Sequence, residues 1–104
     1  MDIVFEVTDP RGVVVNLTYK VRSHILAHHP EMEAFLGVVK DSIKDPTYIN
    51  YEVDDKSINI YYHKLQGSRL YIRVVVKIKG KFGSIITCRA ATNDKPGEIN
   101  IWPV

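Results

Sequence analysis

Side chains alternate strictly in character over residues 69–79, and this pattern constrains the fold more than any other feature of the chain. Because successive side chains of a strand point to opposite faces, it predicts a strand with one apolar face and one basic, aromatic face. Such a face is a candidate surface for phosphate-bearing partners. The apolar positions are Leu70, Ile72, Val74, Val76 and Ile78, and the positions between them are Arg69, Tyr71, Arg73, Val75, Lys77 and Lys79.

The overall composition is that of one soluble domain, predicted to span residues 1–104. Apolar residues make up 45% of the chain and charged residues 25%, with a net charge of only +2. The charges are nevertheless unevenly distributed, because residues 64–89 contain seven cations and no acid. This segment can produce a local positive field, although a solvated sheet face that uses cations for solubility remains an alternative.

Cysteine content and hydropathy narrow the class of protein. Cys88 is the only cysteine, so an internal disulfide is excluded and no cysteine set for zinc exists. The first residues lack the basic start and apolar run of a secretory signal, and no apolar run reaches membrane-spanning length. We therefore expect a cytoplasmic protein without membrane contact. His24 and His28 have a spacing that suits a metal, but no third ligand is apparent, so no metal and no cofactor is predicted.

Turn and capping residues predict the first half of the fold. The sequence Asp-Pro-Arg-Gly at residues 9–12 predicts a turn between strands at 3–7 and 13–17. Thr18 can cap a helix over residues 19–28, and Pro30 suits the first turn of a second one. A helical repeat predicts that this second helix is long and amphipathic and ends before Pro46. Its apolar positions are Met32, Phe35, Leu36, Val39 and Ile43.

The second half of the chain reads as strands at residues 48–53, 58–63, 69–79 and 84–91, with a short edge segment near 99–102. We predict that Ile58, Ile60 and Tyr62 share a buried phase, as do Ile86, Cys88 and Ala90. The predicted fold class is α+β. It consists of an N-terminal β-hairpin, two helices and then a roughly four-stranded antiparallel sheet with the long helix on one face.

Residues 24–32, with the sequence His-Ile-Leu-Ala-His-His-Pro-Glu-Met, resemble an "HI…HPEM" motif of small bacterial and phage proteins. Further similarity lies in Asp45-Pro46, Tyr61-Tyr62, residues 74–77 and residues 85–87. Those proteins belong to the barnase, EndoU, colicin and RelE-like ribonuclease superfamily. The resemblance implies N-terminal helices against a four-stranded antiparallel sheet whose open face cleaves RNA. Asp45-Pro46 and the final strand are also similar to toxins of toxin–antitoxin pairs, which implies an antitoxin or another protein as a possible partner. The chain departs from the pattern in having no Glu beside the cations of the open face.

Metal-independent RNA cleavage needs a base, an acid and cations that stabilise the transition state. The predicted strand phases bring cations, a hydroxyl and tyrosines to one face, and the resemblance adds two histidines. The predicted catalytic residues are His24, His29, Lys77 and Thr87, and the predicted substrate-binding residues are Tyr61, Tyr71, Arg73 and Arg89.

Each of these residues also has a purely structural interpretation. The cations can be solvated, Thr87 can be a good strand former, the tyrosines can pack, and His29 can satisfy backbone groups before Pro30. Two functions are therefore kept: a metal-independent endoribonuclease-like domain of toxin or phage-effector type, and a noncatalytic protein-interaction module of the same fold.

Overall fold

The computed structural model describes residues 2–104 of the chain. In chain order the elements are β1 (Ile3–Thr8), β2 (Val14–Thr18), α1 (Tyr19–His28), a 3₁₀ helix (Pro30–Phe35), α2 (Leu36–Lys44), β3 (Tyr48–Glu52), β4 (Asp55–Lys64), β5 (Tyr71–Lys79), β6 (Phe82–Ala91) and β7 (Glu98–Trp102). No helix in residues 2–104 has the length and apolar character needed to cross a membrane.

The predicted N-terminal hairpin is confirmed. β1 and β2 pair antiparallel, and Gly12 adopts the positive φ of 89° that the turn requires. Asp9 holds the turn together, since its Oδ1 accepts hydrogen bonds from the backbone N–H groups of Arg11 and Val13 at 2.8 and 2.9 Å.

The helices begin where predicted, but the long second helix is divided. Thr18 Oγ1 accepts a hydrogen bond from the backbone N–H of Val21, which confirms it as the cap of α1. Residues 30–35 form a 3₁₀ helix, and α2 begins only at Leu36, because Phe35 has φ −110° and ψ 4° and leaves the α-helical region. Met32 and Val39 are buried in the core in spite of this break.

The predicted four-stranded antiparallel sheet is wrong. The strands form one seven-stranded mixed sheet in the order β1-β2-β6-β5-β4-β3-β7. The hairpin joins it because β2 pairs parallel with β6, where Val14 lies beside Phe82 and Asn16 beside Ser84. β7 extends the other edge through antiparallel pairing with β3. Both additions pair segments far apart in the chain.

The sheet curls around the helices. In the sheet order β6 and β5 lie between β2 and β4, yet the turn that follows β1 touches β4. Tyr61 Oη of β4 donates a hydrogen bond to Asp9 Oδ2 at 2.6 Å, and Arg11 Nη2 donates to Asn59 Oδ1 at 2.8 Å. The concave side, which we call the helical face, holds the main apolar core. Its members include Leu17, Ile25, Met32, Val39, Ile43, Ile72, Val74, Val76, Ile85 and Cys88.

The opposite side of the sheet, which we call the open face, follows from the alternation in β5. Ile72, Val74 and Val76 are buried in the core, so Arg73, Val75 and Lys77 point to the open face, as predicted. In β6 a bulge interrupts the alternation of side chains, so the predicted orientation is correct from Thr87 onward but not before it. Ile85 is 2% exposed and Ile86 is 43% exposed, the reverse of the prediction for this pair.

Candidate functional site

Strand pairing gathers five of the predicted site residues on the open face: Tyr71, Arg73, Lys77, Thr87 and Arg89. In the β5–β6 register Arg73 lies beside Arg89, and Val75 lies beside Thr87. Lys77 is four residues from Arg73 on the same strand, so it has the same orientation. Because the helices pack on the helical face, they do not cover these side chains.

Arg73 is not available to a ligand, because it is buried in an ion pair. Its Nη2 lies 2.9 Å from Glu98 Oε2, and the two side chains are 7% and 1% exposed. Its Nε also donates to Tyr62 Oη at 3.0 Å. The predicted substrate-binding role of Arg73 therefore has no geometric support.

Glu98 is the residue that sequence reasoning missed, and the expectation of no Glu beside the cations is wrong. Its Oε1 accepts hydrogen bonds from Tyr62 Oη at 2.8 Å and from Asn50 Nδ2 at 3.1 Å. Burial alone raises the pKa of Glu98, but hydrogen bonds from Arg73, Tyr62 and Asn50 outweigh it, so the pKa lies below its ordinary value. Burial is also the largest cause that raises the pKa of Tyr62. The one sequence signal for Glu98 is its place directly before the edge segment predicted near residues 99–102.

Aromatic side chains and the connection from β6 to β7 close this end of the open face. The rings of Tyr48 and Tyr62 stack at 4.7 Å, and Tyr71 meets both edge-on at 5.9 and 6.2 Å. Asp94 lies within hydrogen-bond distance of Asn50, which donates to it at 3.3 Å. Tyr71, a predicted substrate-binding residue, is thus a half-buried member of a packed cluster. Lys64 Nζ lies 5.1 Å from its ring centroid.

The rest of the open face along β5 and β6 is exposed or half-buried, and we call it the basic floor. Its members are Val75, Lys77 and Lys79 of β5 and Phe82, Ser84, Ile86, Thr87 and Arg89 of β6. Lys77 Nζ donates to Ser57 Oγ at 2.6 Å and lies 3.4 Å from Asp55 Oδ2. In the part of the chain that the structure describes, neither Lys79 nor Arg89 forms an ion pair.

Tyr61 does not belong to the basic floor, contrary to the prediction. It pairs with Val74 across β4 and β5, and its side chain is fully buried on the helical face. Burial is the largest cause that raises its pKa, with a further contribution from the hydrogen bond to Asp9. The predicted phase of β4 is wrong because both faces of this strand are buried: Ile60 and Tyr62 on the open face are also 0% exposed.

The predicted proton-transfer residues lie on the other side of the sheet. α1 carries His24 and packs on the helical face through Ile25, and His29 follows directly at the end of that helix. His29 Nδ1 lies 3.6 Å from Glu31 Oε1, and the rings of His24 and His28 are 4.3 Å apart. Over residues 2–104, no group of three potential ligands could hold a metal.

The chemistry of the open face is therefore that of anion binding. The basic floor offers cations, the Thr87 hydroxyl and an exposed aromatic ring. Two pKa values on this face are shifted away from neutrality. That of Glu98 is lowered by its hydrogen bonds, and that of Tyr48 is raised to about 12, mainly through burial.

Compared with known proteins, the chain matches no family model, no curated protein and no solved structure.

Proposed function

We propose that this domain is a noncatalytic RNA-binding module that holds the phosphate backbone on the basic floor. The observation that carries the proposal is the pair of cations Lys79, which is exposed, and Arg89, which is half-buried. They share one face of the sheet and have no acidic partner among the described residues. Cations free of ion pairs can neutralise phosphates and displace the counterions condensed on the nucleic acid, and this release drives most nonspecific nucleic-acid binding.

The length of the floor favours a polymer over a single phosphate group. Arg89 lies beside Arg73, and Lys79 is six residues further along β5. At ~3.3 Å per residue these positions are ~20 Å apart along the strand. One small phosphate compound cannot reach both cations, whereas an extended chain can. The resemblance of residues 24–32 to the ribonuclease superfamily supports RNA as that chain.

Binding is favoured over cleavage because the candidate proton-transfer histidines are separated from the cations of the basic floor. General acid–base catalysis needs a proton-transfer group within hydrogen-bond reach and with a pKa near the working pH. His24 and His29 lie across the sheet from Thr87 and Arg89. Two acids pair with cations of the open face: Glu98 is buried in its pair with Arg73, and Asp55 lies beside Lys77. Both carboxyls have pKa values below their ordinary range, so neither is suited to proton transfer near neutral pH.

The binding test compares two double variants that remove the same charge from opposite faces. Lys79→Ala/Arg89→Ala changes the basic floor, while Lys40→Ala/Lys44→Ala removes two exposed cations from α2. Lys77 is left intact because its removal would release Asp55 as a new negative charge. Fluorescence anisotropy with labelled single-stranded RNA is measured over a range of salt concentrations, and circular dichroism checks the folding of each variant.

We expect the floor variant to bind more weakly and its slope of log K against log salt to fall by about 1.4, at ~0.7 for each lost phosphate contact. The α2 variant should keep the slope of the unchanged protein. Equal losses in both variants, or no binding by the unchanged protein, would overturn the proposal. A second assay incubates the protein with RNA and a chelator, and intact RNA is expected. Chelator-resistant cleavage that disappears in the floor variant would show an enzyme instead.

A further inference from the structure

Phe82 is an exposed aromatic side chain at the end of the basic floor, where β6 begins. It is 67% exposed, and Ile86 on the same strand is 43% exposed. A single exposed apolar residue needs no explanation. Here, however, the two apolar residues lie on one strand among the cations of the basic floor, with Lys79 directly beside Phe82 in the β5–β6 register.

The backbone at Phe82 is fixed on both sides, which separates it from an aromatic residue at a loose loop tip. Phe82 pairs with Lys79 of β5 and with Val14 of β2. The following Gly83 is buried, and a Cβ at that position would lie 2.7 Å from Val76 Cγ1 and 2.8 Å from Ile78 Cδ1. This close packing holds β6 against the core and fixes the backbone from which the Phe82 ring projects. A ligand that contacts the ring therefore meets a preorganised surface.

We propose that Phe82 is a base-stacking subsite, on which an unpaired base of the bound RNA lies while Lys79 holds an adjacent phosphate. This inference rests on the proposed function, since it presumes an RNA backbone on the basic floor. Aromatic side chains on sheet surfaces stack with bases that are free of a duplex, and the interaction tolerates any base because each has a π face. A duplex hides these faces, so the subsite makes the floor selective for single strands.

The test measures affinity for a single-stranded RNA and for a duplex RNA of the same length with three variants. Phe82→Ala removes the ring, Phe82→Leu keeps an apolar side chain without a π face, and Phe82→Trp keeps the π face. We expect alanine and leucine to lower the affinity for the single strand about tenfold. Both should leave the affinity for the duplex unchanged, and tryptophan should retain both affinities. A fluorescent base analogue in the single strand should be quenched by the unchanged protein and not by the leucine variant.

The failures of the two proposals can be distinguished. If Lys79→Ala/Arg89→Ala weakens binding but the leucine variant binds the single strand normally, stacking is overturned and phosphate binding stands. Equal losses for single strand and duplex in the leucine variant would also overturn stacking, because they indicate a structural effect. If the unchanged protein binds neither RNA, both proposals fall. The leucine variant carries the test if alanine prevents folding.

Discussion

Arg73 and Glu98 form a buried ion pair although β4 and β3 lie between their strands in the sheet. The pair ties the chain's last strand to its central ones across the open face. Tyr62 lies between the two charges and contacts both, donating to Glu98 and accepting from Arg73. This arrangement explains why one end of the open face is closed and only the basic floor is accessible.

Removal of the Glu98 charge should destabilise the domain strongly. Glu98→Ala leaves the Arg73 guanidinium buried without its partner, which typically costs about 3–5 kcal/mol. Chemical denaturation measures the change in the free energy of unfolding. Glu33→Ala, which removes an exposed carboxylate with no ion pair among the described residues, should change it by less than ~0.5 kcal/mol. Similar effects of the two changes would show that the ion pair contributes little to the fold.

The stability of the domain should fall at acid pH. Glu98 and Asp9 both have pKa values below their ordinary values of 4.5 and 3.8, because hydrogen bonds to the charged forms outweigh burial. A carboxyl with a lowered folded pKa stabilises the fold above its unfolded pKa, and this contribution is lost as the pH falls through the folded pKa. We expect the free energy of unfolding to decline below about pH 5.

The double variant Asp9→Asn/Glu98→Gln tests whether these two carboxyls cause the loss of stability at acid pH. This variant should be less stable at neutral pH, but its free energy of unfolding should fall less steeply on acidification, since neither amide titrates. Denaturation curves collected from neutral to acid pH measure both slopes. Parallel slopes would mean that other carboxyls cause the acid sensitivity.

The hydrogen bond from Tyr61 to Asp9 should hold the curl of the sheet. Tyr61→Phe removes a 2.6 Å hydrogen bond to a buried carboxylate and should cost about 1.5–3 kcal/mol. Hydrogen exchange should also become faster at the Val13 amide, which donates to the same carboxylate. Tyr19→Phe serves as the control, because Tyr19 is 52% exposed. A denaturation midpoint unchanged by Tyr61→Phe would contradict this role.

Sequence reasoning succeeded where a strand has two chemically different faces. In β5 the buried Ile72, Val74 and Val76 alternate with Arg73 and Lys77, so the orientation of every side chain followed from the pattern. It failed in β4, where Tyr61 and Tyr62 are both fully buried and no polar phase marks the exterior. A central strand covered on both faces gives no alternation from which to assign its orientation.

Long-range strand pairing and bulges are the other features of the fold that the sequence does not predict. Nothing local indicates that β2 pairs parallel with β6, because parallel partners have no connecting turn to mark them. The bulge in β6 inserts one residue, so Ile86 is exposed while Thr87 and Arg89 keep their predicted orientation. The Arg73–Glu98 pair depends on the position of β7, which the sequence indicated only as a possible edge segment.

Gly83 should be the least replaceable glycine of the sheet. An added Cβ would contact Val76 and Ile78 at 2.7 and 2.8 Å, so Gly83→Ala forces these side chains to move and should cost about 1–3 kcal/mol. Gly37 of α2 has no atom within 4 Å of an added Cβ, and Gly37→Ala should instead stabilise the domain by ~0.5–1 kcal/mol. Thermal denaturation of both variants shows whether each substitution lowers or raises the stability of the domain. A neutral Gly83→Ala would show that β6 can move away from the core.

Cys88 should not react with thiol reagents in the folded protein. It is fully buried in the core, and burial raises the pKa of its thiol to about 12, so almost no thiolate exists at mildly alkaline pH. An aromatic disulfide reagent should therefore modify no thiol in the native state and one per chain in denaturant. Ser84→Cys places a second thiol at an exposed position of the same strand, and it should react at once without denaturant. Rapid native reaction of the unchanged protein would contradict the burial of Cys88. If reaction is slow and follows opening of the core, its rate reports how often β6 separates from its neighbours.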